Sequence, residues 1–118
     1  MRVISLVPSW TETLLEWGVN VVGRTRYCIH PSEKVKDIPI VGGTKDTRWE
    51  KLHALKPDLI VVDKEENKKS VLEKTKVPLL ISHCESLRQM PVELKKFSET
   101  FEKLAIEPRV LENIKRDI

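Results

Sequence analysis

Apolar and polar positions fall into blocks along this chain, each reading as a strand that feeds a helix. Val3-Ile4-Ser5-Leu6-Val7 is an apolar run that breaks at Pro8 and enters Ser9-Trp10-Thr11-Glu12. Ser9 and Glu12 have the spacing of a capping box, and Trp10, Leu14 and Trp17 share one helical face before Gly18. Further strands are expected at Val19 to Gly23, Leu59 to Val62 and Leu79 to Ser82. Leu59-Ile60-Val61-Val62 is apolar on both faces, as a parallel strand covered by helices should be. Thr47 and Glu50 form a second capping-box pair, and Trp49, Leu52 and Leu55 give a stripe that stops at Lys56-Pro57. Asn67 to Thr75 predicts a short helix. Leu87, Met90, Leu94, Phe97, Phe101 and Leu104 step by three and four, with Pro91 in the first turn.

This alternation predicts an α/β fold, a three-layer Rossmann-like lobe whose mainly parallel sheet of about four strands is flanked by helices. In such sheets ligands are held at the carboxyl edge, where loops converge and helix N-termini offer backbone N–H groups. The segments expected there are Pro8 to Thr11, Tyr27 to His30, Asp63 to Glu66 and His83 to Glu85, with Gly42 to Lys45 nearby. The connection from Arg24 to Lys45 has no clear periodicity, and loops of that length inside compact domains are more often functional than idle.

A length of 118 residues suits one compact domain. From Pro108, the residues Val110, Leu111, Ile114 and Ile118 form a final apolar stripe that is expected to need something further to pack against. That suggests a boundary, with residues 1–106 as the lobe and 107–118 as the start of a joining helix, or else self-association through the stripe.

Charge adds exclusions. Net charge is +3, with the basic residues interleaved among 18 acidic ones, which argues against a nucleic-acid surface. No apolar stretch approaches the roughly 20 residues of a membrane span. No signal peptide precedes the first strand, so the chain as it stands is expected to be cytoplasmic, or periplasmic or cell-surface if a leader was removed and replaced by Met1. The two cysteines do not make a disulfide framework.

Candidate chemistry is sparse. Gly42-Gly43-Thr44-Lys45 lacks the spacing of a phosphate loop, so its glycines are expected to allow a tight turn or close approach of a ligand. Cys28, His30, His83 and Cys84 are residue types that suit zinc, two from each of two rim loops, but neither pair has zinc-finger spacing. The alternative is that both cysteines are small buried hydrophobes. Ser9 lies in no nucleophile elbow, so catalysis is not expected. Trp10 and Tyr27 sit at loop–helix junctions, where a flat ring can meet a bulky ligand.

Arg2-Val3-Ile4-Ser5-Leu6-Val7-Pro8-Ser9-Trp10-Thr11-Glu12 resembles the opening of class III periplasmic binding proteins, the vitamin B12, haem and iron–siderophore receptors of ABC importers. The likeness continues through Val22-Gly23-Arg24-Thr25-Arg26-Tyr27, Val41-Gly42-Gly43-Thr44, Trp49-Glu50-Lys51-Leu52 and Ala54 to Ile60, and is strongest with the cobalamin branch. It implies a non-catalytic, two-lobed receptor with ligand held between lobes joined by a long helix. This chain resembles the amino-terminal lobe alone. The implied ligand is cobalamin, haem or a ferric chelate, with no cofactor required; the implied partners are an ABC permease, if the protein is exported, and a second lobe.

Residue by residue, the resemblance places Pro8, Ser9, Trp10 and Thr11 in the first rim loop and Tyr27 as a cleft aromatic. Cys28, Gly43, Thr44 and Lys45 complete the expected ligand-binding set. Thr44 stands where the B12 receptors carry a second aromatic, which weakens corrin stacking unless Trp10 substitutes. Glu50 matches an acidic knob that docks on permease arginines, a role in competition with capping by Thr47. His83-Cys84 replaces the more usual Asp-Pro, leaving room for metal ligation. A small metal-binding or redox protein using Cys28, His30, His83 and Cys84 is therefore the alternative function.

Overall fold

The computed structural model describes residues 1–29, 32–43, 46–64, 74–82 and 90–118. Within them the order is β1 (Val3–Ser5), α1 (Pro8–Trp17), β2 (Val21–Arg24), α2 (Ser32–Val35), α3 (Trp49–Ala54), β3 (Leu59–Asp63), β4 (Leu79–Ser82), α4 (Met90–Lys103) and α5 (Pro108–Arg116). The strands form one sheet in the order β2-β1-β3-β4, and every pairing is parallel. The expected α/β lobe with a parallel sheet is what the chain forms.

Successive residues of a strand point to opposite faces, and this divides the core in two. Val3, Leu59, Val61 and Leu80 pack with α1, α4 and α5 through Trp10, Leu14, Trp17, Phe97, Phe101, Val110 and Ile114. Ile4, Leu6, Ile60 and Val62 pack on the other face with Val41 and Leu52 of α3. On the first face the Phe97 ring lies 4.3 Å from Trp10, 5.8 Å from Trp17 and 6.0 Å from Phe101.

Several boundaries differ from expectation. β1 stops at Ser5 because the helix starts at Pro8, with Val7 and not Ser9 at the cap position: proline at the first helical position has its φ preset and needs no N–H partner. Neither capping box forms. Val7 and Arg48 occupy the cap positions without side-chain cap bonds, leaving Ser9, Glu12 and Glu50 exposed. β2 begins at Val21 because Val19 belongs to the end of α1. Gly18, at φ 88°, donates to Leu15 O, and Val19 N donates to Leu14 O, a Schellman ending. The 24–45 connection carries the short α2 and one further parallel bridge, Arg24 to Ile40. Residues 67–73 of the expected 67–75 helix, and Leu87, lie outside the described residues.

The stripe on α5 also has a different fate. Val110 and Ile114 are buried against α1 and α4 within this chain, Leu111 is half-buried, and only Ile118 is well exposed, at 59%. The Trp17 indole donates to Asp117 Oδ2 at 2.7 Å, and Asn113 Nδ2 donates to Trp17 O at 2.9 Å. α5 is thus latched to α1 within this chain. Asp117→Ala leaves the buried indole N–H short of its acceptor and is expected to cost about 1–2 kcal/mol in denaturant unfolding. An unchanged midpoint would show that the latch carries no weight. Among the described residues no helix is long and apolar enough to cross a membrane.

Candidate functional site

The carboxyl edge of the sheet gathers the turns after β1 and β2 and the 39–43 segment. This last segment runs beside β2: Arg24 N donates to Pro39 O, Val41 N to Arg24 O, and Arg26 N to Gly42 O, at 2.8–3.0 Å. It thereby carries Gly42 and Gly43 to the rim.

The turn after β2 is held from three directions. From below, Thr11 Oγ1 donates to the Ser5 hydroxyl at 2.8 Å and lies 3.1 Å from Cys28 Sγ. Thr25 Oγ1 is 3.2 Å from the same sulfur and accepts Tyr27 N at 3.2 Å. All four side chains are buried, with Cys28 1% exposed. From the sheet edge, the buried Arg24 guanidinium donates Nε to Ile38 O and Nη1 to Cys28 O, at 3.0 and 3.1 Å. From the side, Arg26 Nη2 meets Asp46 Oδ2 at 3.0 Å, and Asp46 Oδ1 accepts Gly43 N at 2.8 Å. The hydrogen bond from Arg26 holds the Asp46 carboxyl below its ordinary range, and the carboxylate raises Arg26 in return.

Tyr27 stands at the centre of this framework and points outward. The residue is 58% exposed, beside Ile29 at 56%. The Arg26 guanidinium lies over the ring, 6.0 Å from its centroid, at the outer limit of a cation–π contact. The neighbours pinned beneath leave the exposed ring on a turn with little conformational freedom.

The expected site residues therefore separate. Tyr27 lies on the surface of the rim, with Pro8 half-buried and Ser9 exposed on α1. Thr11 and Cys28 lie beneath as support. Trp10 is turned into the core against Phe97 and Trp17, so it does not substitute for a rim aromatic. The α1 N-terminus offers less than a free helix end, since Pro8 has no N–H and the Trp10 and Thr11 amides both go to Val7 O. Thr44, Lys45, His30, His83 and Cys84 lie outside the described residues. Among the described residues no group of three or more His, Cys, Asp or Glu is arranged to hold a metal, and the Cys28 sulfur is engaged with Thr11 and Thr25.

Gly43 proves to serve Asp46. A Cβ there would run into the Asp46 carboxylate and Arg26 Nη1, so the missing side chain makes room for the ion pair. Gly42, at φ 123°, supplies the left-handed turn. Gly43→Ala is expected to break the Gly43–Asp46 contact with little loss of secondary structure, read as at least about tenfold faster amide exchange at residue 43. Unchanged protection would mean that the loop absorbs the methyl group. Arg26, Asp46, Ser5 and Thr25 are the structural members that sequence reasoning missed. The one available signal was an aspartate three residues after a glycine pair, which suits a side-chain-to-backbone turn.

Residues 3–106 match the periplasmic binding protein family, and the chain belongs to that family. Among solved structures, the apo periplasmic haem-binding protein of Roseiflexus sp. RS-1 matches with a TM-score of 0.74 and 23% identity, covering 98% of this chain and 43% of that one. The periplasmic vitamin B12-binding protein of Vibrio cholerae gives 0.69 and 23%, covering 98% and 46%. The Staphylococcus aureus protein SirA, solved with staphyloferrin B, gives 0.68 and 24%, covering 98% and 40%. These likenesses concern the fold, and this chain spans less than half the length of each of the three. Comparison with curated proteins returns no match.

Proposed function

We propose that this chain is the amino-terminal, ligand-binding lobe of a non-catalytic receptor for cobalamin, haem or a ferric siderophore. The observation that carries the proposal is the exposed Tyr27 ring, fixed on a pinned turn at the carboxyl edge of a parallel sheet. A flat aromatic face suits a large ligand with apolar surface, such as a corrin or porphyrin. The family and the haem, B12 and siderophore proteins among its structural neighbours support the same ligand classes.

The proposal extends to partners. Facing walls for the ligand come from a second lobe, with α5 at the junction. Glu50 is exposed on the first turn of α3 and makes no cap bond, so its carboxylate is available to a permease arginine. A permease partner places the receptor on the exported side of the membrane. Titration of the natural-length protein with cyanocobalamin, haemin and a ferric siderophore, followed by calorimetry, tests the reading. Saturable one-to-one binding of at least one ligand is expected; no binding of any of them would overturn it.

A further inference from the structure

We infer that Asp46 is a positioning residue for the Tyr27 platform, acting through Arg26. The inference rests on the proposal that Tyr27 receives the ligand, but its geometry stands independently. Asp46 is bonded at both carboxylate oxygens: Oδ2 takes Arg26 Nη2 at 3.0 Å, while Oδ1 takes Gly43 N at 2.8 Å and Arg26 Nη1 at 3.4 Å. One side chain thus ties together two rim segments 20 residues apart in sequence. The Arg26 backbone adds a third tie through Gly42 O, at 3.0 Å. The guanidinium so held is the group that lies over the Tyr27 ring.

Burial argues that this arrangement serves the site more than the fold. The side chains of Arg26 and Asp46 are 41% and 64% exposed, and exposed ion pairs add little to stability. A Cβ at Gly43 would meet the Asp46 carboxylate and Arg26 Nη1, so the pair as it stands uses the space that the glycine leaves. What the pair fixes is the arginine fork, which a free side chain would not keep in place over the ring. It also neutralises Arg26, so the platform presents a ring face and no unpaired cation at that position.

Tyr27 is the single tyrosine of these 118 residues, and in the natural-length protein its ring protons are assigned by their absence in Tyr27→Phe. In the natural-length protein without ligand, Arg26 side-chain protons are expected to show ring-current shifts and contacts to the Tyr27 ring. In Asp46→Asn both should vanish and Arg26 Nε–H exchange should quicken at least about fivefold, with the thermal midpoint unchanged. Arg26→Lys, which keeps the charge and loses the planar fork, should give the same loss of ring contacts; Glu99→Gln, removing an exposed pair on α4, should change nothing. Haemin or cyanocobalamin, whichever binds the wild type, should bind Asp46→Asn at least about threefold more weakly. Unaltered Tyr27 and Arg26 signals in Asp46→Asn would overturn the inference. If neither probe binds the wild type while the ring signals behave as expected, the receptor reading falls and the positioning role stands.

Discussion

Phe97→Ala is expected to destabilise the lobe by about 3–5 kcal/mol. Phe97 has no exposed surface and touches three aromatic partners, joining α4 to both tryptophans of α1 and to Phe101. Those neighbours are anchored by α1, the sheet and the Trp17–Asp117 bond, so they cannot collapse into the space that the ring leaves. Urea unfolding monitored by tryptophan fluorescence reads the loss directly. A change below about 1 kcal/mol would mean that the cluster repacks, and that the first face of the sheet is less closely filled than it looks.

The second large effect falls on binding. Tyr27→Ala is expected to weaken the cognate ligand by about 2 kcal/mol, roughly thirtyfold in Kd, while leaving the unfolding midpoint within experimental scatter. The two halves of that expectation have separate causes. The ring is exposed, so its removal opens no cavity and costs the fold little. The turn beneath is held by Thr25, Cys28, Arg24 and Arg26, so the site keeps its backbone shape and loses only the contact surface. Tyr27→Phe should retain most of the affinity if stacking dominates. Loss on that change alone would assign the work to the phenol oxygen.

The periodic segments were legible because burial on both faces leaves a plain mark. β3 and β4 read directly from Leu59-Ile60-Val61-Val62 and Leu79 to Ser82, and α4 from its three-and-four stepping. Helix starts were misread for a specific reason. A Ser or Thr three residues before Glu is a capping box only when the backbone places it at the cap, and Pro8 moved the start of α1 two residues earlier, with Val7 at the cap. Trp10 was ambiguous because an aromatic at a loop–helix junction can turn either way; Phe97, 87 residues later, decided the matter. Tyr27 was singled out both by its place at a loop–helix junction and by the resemblance, but the network beneath it was not. Ser5, Thr11, Thr25 and Cys28 meet only once β1, α1 and β2 are side by side, a long-range proximity with no local pattern. The Arg26–Asp46 pair is hidden for the same reason.

Tyr27 ring-proton NMR during ligand titration tests the central claim most directly, with the Tyr27 signals assigned by their loss in Tyr27→Phe. With cyanocobalamin, haemin or a ferric siderophore added to the natural-length protein, the Tyr27 signals should shift or broaden along the same curve as the calorimetric binding isotherm. A ligand that binds tightly while the Tyr27 ring signals stay where they were would contradict it.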